Sequence, residues 1–600
     1  MKAWARMMRA AVVLAGAGLG AQGLPYILEH YDKQEVMVPM RDGARLFTAI
    51  YSPKDHRRPY PFLLERTPYG AGPYGPESYP EQLGPSARFG EEGFIFVTQD
   101  VRGKKLSEGT FLDMTPALPH TGAQVDESTD TFDTVAWLLG HVPNHNGRAG
   151  QWGVSYPGFY AAAGLIDAHP AMKAVSPQGP IVDWFVGDDF HRNGALWLPH
   201  LFNYIAQYGR PRPRPSAEEP PPFQHGTRDG YAFFLDLGPL ANADARHFKG
   251  GIPFWDEVMA HGTYDAFWQA RNLRPHLRDV RPAVLTVGGW HDAENLFGSL
   301  QTWRTLALQS PATDQRLVMG PWDHGGWRYP AGPSGDDPAA FFQARIEFPF
   351  FMRHLKDAPD PGLPRAWMFE TGADRWRRMD AWPPRELRPV NLYFEAKGGL
   401  GQARPAGGFD AYPSDPARPV PYISGISIGM ARDYMTADQR FAGRRPDVLS
   451  YRTEPLPADL TLAGPIQADL WVSTTGTDSD WVVKVIDGYP DGDPAHPGRQ
   501  RLVRGEVMRG KFRNSFERPE PFVPGSPTEV KFGLNDVFHT FLKGHRLMVQ
   551  VQSSWFPLMD RNPQVFTDIY HAREADFQAA EERLYHSPQL PSHLVLPVLP

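Results

Sequence analysis

The sequence of 600 residues contains no cysteine. This absence excludes disulfide bonds, catalysis by a thiol and the attachment of lipid to an N-terminal cysteine. It does not exclude export from the cell, because a large hydrophobic core can stabilise an exported chain without covalent cross-links.

Long runs of positive charge are also missing. The 61 Lys and Arg residues are outnumbered by 68 Asp and Glu residues, which gives a formal net charge of -7. Because surfaces that bind nucleic acids need clustered positive charge, we expect no nucleic acid as a partner. The hydrophobic fraction of 41% and the 17 Trp residues instead predict well-filled globular cores.

The apolar stretch near the N-terminus, residues 10–19, is too short to cross a membrane comfortably. It follows Lys2, Arg6 and Arg9 and precedes small residues, a pattern typical of a secretory signal peptide. We expect a signal peptide over residues 1–23, which predicts an exported, periplasmic or extracellular protein that keeps no membrane anchor. The alternative is an N-terminal helix that is not cleaved.

The spacing of apolar runs divides the chain, which is too long for one core, into several regions. In residues 24–182 and 279–388, short apolar runs alternate with helical stretches, the pattern of a parallel α/β sheet with crossover helices. Residues 183–278 interrupt this pattern with aromatic residues and prolines, which predicts a mostly helical cap over the sheet. Residues 389–600 change to strand-type alternation, which predicts an all-β sandwich.

Ser155 lies among glycines at a point where an apolar run gives way to a helix-forming run. The pattern G-x-S-x-G marks a strained strand-to-helix turn that exposes a nucleophilic serine. Here the second glycine, Gly158, comes one residue late. For this motif alone, an ordinary turn between a strand and a helix therefore stays open as an alternative.

Two later segments supply an acid and a histidine. Asp292 follows the apolar run of residues 282–287, and His324 lies in a glycine-rich loop after residues 317–319. The order Ser, acid, His is that of the α/β-hydrolases, in which the histidine takes the serine proton and the carboxylate orients the histidine. His291 is the competing base, but it directly adjoins Asp292, and neighbouring residues seldom reach the required hydrogen-bond geometry.

At these residues the chain resembles a family of serine hydrolases that groups X-Pro dipeptidyl-peptidases, cocaine-esterase-like enzymes, glutaryl-cephalosporin acylases and α-amino-acid ester hydrolases. The resemblance covers nearly the whole chain after the leader and includes four further segments, residues 65–70, 99–109, 468–484 and 544–557. It implies an α/β-hydrolase domain with an inserted helical cap and a C-terminal jelly roll. It implies neither a metal ion nor an organic cofactor.

The resemblance also implies an oxyanion hole. Tyr69 would give its phenolic hydroxyl to the oxyanion, and the backbone N–H of Tyr156 would be the second donor. A fixed donor of this kind lowers a barrier by on the order of 3 kcal/mol. From the residues alone, Tyr69 lies in a Pro/Gly turn, and a role in that turn is the alternative.

The α-amino-acid ester hydrolases of this family carry a cluster of carboxylates that receives the ammonium group of the substrate. By position, its members here would be Asp189 and Glu294, and the third position, usually Asp, is Asn295. Two carboxylates would still attract an ammonium ion by roughly 1 to 4 kcal/mol per close pair. The alternative is that Asp188, Asp189 and Glu294 are solvated loop acids or helix caps.

The sequence therefore predicts a serine hydrolase that forms an acyl-Ser155 intermediate with a small-molecule substrate. An α-amino-acid ester or amide is favoured, and the family implies acyl transfer to an amine such as a β-lactam nucleus. The alternatives are an X-Pro dipeptidyl-peptidase, another carboxylesterase or acylase of the family, and a catalytically silent carbohydrate- or surface-binding protein. The acyl side chain, the leaving group and a homo-oligomeric state stay open.

Overall fold

The computed structural model describes residues 23–118, 124–331 and 337–600. Residues 1–22 of the predicted signal peptide lie outside the described residues, and Gly23 begins the first helix. Within the described ranges, no helix is both long and apolar enough to cross a membrane.

The N-terminal part of the described chain contains twelve strands. They are β1 Tyr31–Pro39, β2 Arg45–Pro53, β3 Tyr60–Thr67, β4 Ile95–Asp100, β5 His145–Val154, β6 Met172–Gln178, β7 His191–Arg192, β8 Ala195–Leu196, β9 Ala283–Gly289, β10 Gln315–Gly320, β11 Ala366–Glu370 and β12 Arg375–Met379. Ten of them form one sheet in the order β1-β2-β4-β3-β5-β6-β9-β10-β11-β12, and β7 pairs with β8. The pairs from β4 to β11 are parallel, whereas β1, β2 and β12 join antiparallel at the edges.

Eleven α-helices accompany these strands in the described ranges. They are α1 Gly23–His30, α2 Ala87–Glu92, α3 Glu127–His141, α4 Tyr156–Ala163, α5 Leu198–Tyr208, α6 Gly230–Leu237, α7 Pro253–Ala260, α8 Ala266–Ala270, α9 Leu296–Gln309, α10 Pro338–Phe342 and α11 Phe348–Lys356. Parallel neighbours need crossover connections, and α3, α4 and α9 lie in such connections. The α/β class predicted from the alternation of apolar runs is the one observed.

Residues 183–278 contain the helices α5 to α8, a π-helical segment Ala243–Phe248 and the short β7/β8 hairpin. Apolar faces of these helices are buried with α4 and with strands of the C-terminal region in one continuous hydrophobic cluster, which includes Phe202, Trp255 and Trp481. This segment therefore packs against α4 and the C-terminal region, and its description as a cap over the sheet stays a prediction.

The C-terminal region is built from eleven strands within the described residues. They are β13 Arg388–Glu395, β14 Gly399–Gly401, β15 Phe409–Ser414, β16 Leu449–Arg452, β17 Leu460–Thr474, β18 Asp480–Gly488, β19 Gln500–Arg509, β20 Thr528–Phe541, β21 Arg546–Gln552, β22 Ala580–Tyr585 and β23 His593–Leu599. All pairs except β14/β16 are antiparallel. An all-β region is thus observed, and its description as a jelly roll stays a prediction.

The residues predicted to form the site follow different strands of the parallel sheet. Tyr69 follows β3, Ser155 follows β5, Asp189 comes after β6, Asp292 follows β9 and His324 follows β10. The carboxyl ends of parallel strands meet at one edge of a sheet, which is where such sheets place their ligand sites. The topology therefore brings these side chains to one region.

Candidate active site

Ser155 occupies the turn between β5 and α4 in a strained backbone conformation. Its φ is 68° and its ψ is -126°, a region that residues with a Cβ atom rarely adopt. A Cβ atom on Gly153 would lie 2.3 Å from the Pro157 carbonyl oxygen, and one on Gly158 would lie 2.6 Å from the Gln178 carbonyl oxygen. The late second glycine is thus required by a close approach to the end of β6. The turn has the geometry of a nucleophile elbow.

Asp292 and His324 are hydrogen-bonded to each other. The Nδ1 atom of His324 lies 3.0 Å from Oδ1 and 3.1 Å from Oδ2 of Asp292. Asp292 is fully buried, and its Oδ1 also accepts hydrogen bonds from the backbone N–H groups of Glu294 and Asn295 at 2.9 Å. Burial alone would raise the pKa of Asp292, but His324 and these N–H groups hold that pKa below its ordinary value. The carboxylate is therefore kept ionised and fixed against the imidazole.

Gly179 connects the serine turn to this pair. Ser155 donates its backbone N–H to Gln178, 2.9 Å away, and the next residue is Gly179 with a φ of 49°. A Cβ atom there would lie 3.3 Å from Oδ2 of Asp292 and 3.7 Å from Cε1 of His324. The end of β6 therefore runs directly beside the acid and the histidine, and only glycine fits that position without strain.

The second ring nitrogen of His324 faces another carboxylate. Its Nε2 atom lies 3.3 Å from Oε2 of Glu294. Burial would lower the pKa of His324, but the carboxylates of Glu294 and Asp292 outweigh this effect and raise the pKa to about 10. In the structure the imidazole therefore lies between two carboxylates, an arrangement that the sequence analysis did not predict.

Asp189 lies in a buried network with a histidine from residues 183–278. His200, on α5, places its Nε2 atom 3.3 Å from Oδ1 of Asp189. Trp184 Nε1 and Asn295 Nδ2 donate to Oδ2 of Asp189 at 3.2 Å and 3.1 Å. Burial would lower the pKa of His200, but Asp189 and Glu294 outweigh it and raise that pKa. No sequence motif marks His200, because it reaches the site only through the way in which α5 packs.

Asp189, His200 and Glu294 form a mixed cluster. One possible ligand atom from each lies within 4.8 Å of the others, so among the described residues this group could hold a metal ion. The same side chains also form the contacts of Asp189 with His200 and of Glu294 with His324. The cluster brings both predicted ammonium-binding acids together, next to His324.

Asp188 has a different environment. It is fully buried and accepts hydrogen bonds from the backbone N–H groups of Val182, Asp183 and Gly298. Burial and the neighbouring Asp189 raise its pKa to about 8. Asp188 and Asp189 are both buried and are therefore not solvated loop acids. Asp188 accepts from an N–H group in the first turn of α9, which agrees with the alternative role of a helix cap.

Tyr69 and Tyr156 lie near these groups. The Tyr69 ring is partly exposed and contacts the ring of Tyr208, with 5.5 Å between the ring centroids. Burial of the hydroxyl, together with the negative charges of Asp189 and Glu294, raises the pKa of Tyr69 well above its ordinary value. The Tyr69 hydroxyl therefore stays protonated and is available as a hydrogen-bond donor.

Tyr156 is the first residue of α4, and two contacts of its hydroxyl hold its side chain in place. That hydroxyl accepts from the backbone N–H of Met114 at 2.7 Å and lies 3.4 Å from Oδ1 of Asp113. Backbone N–H groups in the first turn of a helix have no acceptor within the helix. The fixed side chain therefore holds the Tyr156 N–H in place beside Ser155.

His291 lies apart from this pair. Its Nε2 atom is 3.4 Å from Nη2 of Arg501 in the C-terminal region, and its backbone N–H donates to Trp322. Burial and the charges of Arg501 and Arg504 hold the pKa of His291 well below its ordinary value. The acid Asp292 is thus paired with His324, the histidine favoured by the sequence.

Comparison with known proteins identifies the family of the chain. Residues 42–326 match the X-Pro dipeptidyl-peptidase (S15 family), and residues 362–595 match the X-Pro dipeptidyl-peptidase C-terminal non-catalytic domain. The chain is 30% identical over 598 residues to the cocaine esterase of Rhodococcus sp. (strain MB1 Bresler), covering 94% of this chain and 98% of that protein. The chain belongs to the S15 family. The S15 chain is therefore a serine hydrolase, and the resemblance predicted from its motifs is confirmed.

Two solved structures are similar to this S15 protein over most of its length. One is an aminopeptidase from the marine sediment archaeon Thaumarchaeota archaeon, with 36% identity and a TM-score of 0.87, covering 95% of this chain and 97% of that chain. The other is an α-amino acid ester hydrolase, with 35% identity, a TM-score of 0.88 and the same coverage. These similarities support the α/β-hydrolase fold with a C-terminal β domain.

Proposed function

We propose that this S15 hydrolase cleaves esters or amides of α-amino acids whose amino group is free, through an acyl-Ser155 intermediate. The observation that carries the proposal is the pair of carboxylates, Asp189 and Glu294, beside His324. An ammonium group bound between them lies one carbon away from the acyl carbon that Ser155 attacks. Fixed negative charge at that position selects substrates with an α-ammonium group.

In the proposed reaction, Ser155 Oγ attacks the acyl carbon while Nε2 of His324 takes the serine proton. Asp292 holds the imidazole by its Nδ1 and stabilises the imidazolium. The Tyr69 hydroxyl and the Tyr156 N–H donate to the oxygen that becomes negative. His324 then gives its proton to the leaving alcohol or amine, and a water molecule, activated by the same histidine, releases the amino acid from Ser155.

The ammonium group also prepares the base. In the structure, Glu294 lies at Nε2 of His324, the nitrogen that must be free to accept the serine proton. When the substrate ammonium takes the Glu294 carboxylate, its positive charge offsets the negative charge that raises the His324 pKa. The correct substrate thereby lowers the pKa of its own general base, whereas a neutral acyl group leaves His324 paired with Glu294.

Asn295 limits the charge of this site. Its amide donates to Asp189, where a carboxylate would instead repel Asp189. The site therefore attracts an ammonium group with two carboxylates, and one of them also faces His200. We infer that the preference for aminated substrates is present and is smaller than three carboxylates would produce.

A second candidate is the removal of N-terminal residues from peptides. One of the similar solved structures is an aminopeptidase, and the S15 family takes its description from X-Pro dipeptidyl-peptidases. An aminopeptidase that releases single residues needs the same short distance between the ammonium group and the acyl carbon as an α-amino-acid esterase. Release of X-Pro needs an ammonium site one residue further away. Acyl transfer to an amine, including a β-lactam nucleus, uses the same acyl-enzyme and stays a prediction.

The test compares phenylglycine methyl ester with its deaminated analogue, phenylacetate methyl ester, and with alanine and Ala-Pro anilides. We expect kcat/KM to favour the aminated ester by about 10-fold or more per carboxylate contact, since about 1.4 kcal/mol corresponds to a factor of ten. Asn295→Asp should increase the ratio, and Ser155→Ala should abolish turnover of every substrate. A wild-type ratio near one would exclude the ammonium site, while Ala-Pro anilide as the best substrate would favour the dipeptidyl-peptidase.

A further inference from the structure

A small cavity lies between the segment that leads to Asp292 and the C-terminal β region. Its lining includes Trp290, His291, Thr371, Arg501, Arg504 and His539. The cavity volume is about 10 Å³, measured as the space that the centre of a water molecule can occupy. This suffices for a single guest of about that size. The cavity is separate from the carboxylate cluster and from Ser155.

Most polar groups around this cavity carry positive charge or donate hydrogen bonds. Among the described residues, neither Arg501 nor Arg504 has a carboxylate within 4.0 Å. Arg504 is 2% exposed, and its Nε and Nη1 atoms have no hydrogen-bond partner in the described chain. Nδ1 of His291 is likewise buried without a partner. Unpaired N–H groups of a buried guanidinium are costly, so an acceptor at this place stabilises the fold.

The nearby carboxylates are held by other donors. Glu506 accepts from the side chain of Asn535 and from the backbone N–H of Val507. Asp536 pairs with Arg304 and accepts from Trp382. His539, which also lines the cavity, contacts Thr371 with its Nδ1 atom and Asp487 with its Nε2 atom.

The charges acting on His291 point in the same direction. Arg501, Arg504 and His539 each add to burial in holding the pKa of His291 well below its ordinary value. Burial is the largest cause of this shift, and only the added effect of the two arginines reports positive charge at the cavity. A small anion beside Arg501 and Arg504 would partly neutralise that charge.

We propose that this cavity binds one small monovalent anion of the size of chloride, which accepts hydrogen bonds from the N–H groups of Arg504, Arg501 and His291. The room excludes sulfate, phosphate and gluconate, which need several times the volume of one water molecule. The size of the cavity therefore favours a halide over a polyatomic anion. This inference is independent of the substrate proposed above.

The anion is placed to support the active-site segment. Nη2 of Arg504 donates to the carbonyl oxygen of Trp290 at 3.0 Å, two residues before Asp292. Arg504 also lines a second small cavity, whose wall includes Asp292 itself. An anion that fixes Arg504 and His291 thereby fixes the loop that carries Asp292 and Glu294. Binding is expected to stabilise the junction between the two parts of the protein.

The experiment uses the intact protein in sodium gluconate, with chloride titrated in at constant ionic strength. We expect the melting temperature to rise with the logarithm of the chloride concentration above the dissociation constant, by about 1 °C or more at a tenfold excess. Bromide should act in the same way, whereas sulfate should not. Arg501→Gln should abolish the rise, and Arg88→Gln, which makes the same change on the exposed surface of α2, should retain it.

Crystals grown in bromide provide a direct measurement that does not depend on how the variants fold. An anomalous bromide peak within hydrogen-bond distance of Arg504 supports the proposal. A cavity that holds only water in saturating bromide, or a halide effect that persists in folded Arg501→Gln, would overturn it.

Discussion

Nε2 of His324 lies 3.3 Å from Oε2 of Glu294, on the side of the imidazole opposite the Nδ1 atom that faces Asp292. The nitrogen that a serine nucleophile needs is therefore engaged by an acid that we assign to substrate recognition. This contact links recognition of an ammonium group to the protonation state of the base, and the two can be separated experimentally.

Glu294→Gln tests this link through the pH dependence of kcat/KM for a deaminated ester. The carboxylate raises the His324 pKa, so protonated His324 is favoured as pH falls, and activity requires the neutral imidazole. Removing the charge should move the rising limb of the profile to lower pH. Near pH 7, turnover of the deaminated ester should increase by about tenfold for each unit of that shift.

The matched control is Glu386→Gln, which removes an exposed carboxylate from the linker before β13. Its profile should equal that of the wild type. An unchanged rising limb in Glu294→Gln would mean that Glu294 does not act on His324 in solution.

The choice of base is tested by comparing His324→Ala with His291→Ala. His324 is the histidine bonded to Asp292, so its loss should lower kcat by about 10³-fold or more, as expected when members of a catalytic unit are removed. His291→Ala should retain most of the activity, because that side chain faces Arg501. Circular dichroism checks that both variants are folded. A larger loss of kcat for His291→Ala than for His324→Ala would then contradict the assignment.

Tyr69→Phe removes one hydroxyl and keeps the ring that contacts Tyr208. If this hydroxyl donates to the developing oxyanion, kcat should fall by about 10²- to 10³-fold with little change in KM. The steady-state constants of an aminated ester decide the outcome. A higher KM with an unchanged kcat would make Tyr69 a residue that only binds the substrate.

His200→Gln tests how much of the Asp189 charge is available to substrates. The pKa of His200 is raised, so its protonated form persists to higher pH than for a free histidine and offsets the charge of Asp189. Replacing it with a neutral amide should increase the preference for the aminated ester over the deaminated one. The increase should be largest at acidic pH and fade as pH rises and the wild-type His200 loses its proton.

The ratio of kcat/KM values for the two esters between pH 5.5 and 8.5 provides this measurement. A folded His200→Gln protein with an unchanged ratio across that range would show that His200 only supports the packing of α5. A decrease in the ratio would show that His200 orients Asp189 and does not compete for it.

Local sequence patterns were sufficient for the α/β class and for placing Ser155, Asp292 and His324 after strands of the sheet, while their catalytic roles stay predictions. Apolar runs alternate with helical stretches along the chain, and this determines the parallel sheet because each βαβ unit is built from consecutive residues. Ser155, Asp292 and His324 each come within a few residues of the end of such a run. Their meeting at one edge could be predicted because the carboxyl ends of parallel strands share that edge.

Only the tertiary structure decided which groups touch these residues. His200 comes from α5, and Glu294 turns toward Nε2 of His324. From β19, more than 200 residues away in the chain, Arg501 reaches His291 and Arg504 reaches Trp290. Asp188 and Asp189 are adjacent, yet one binds backbone N–H groups and the other faces His200. The sequence determines which chemical groups are present and in what order. Their partners depend on side-chain directions and on contacts between distant segments, which no local pattern encodes.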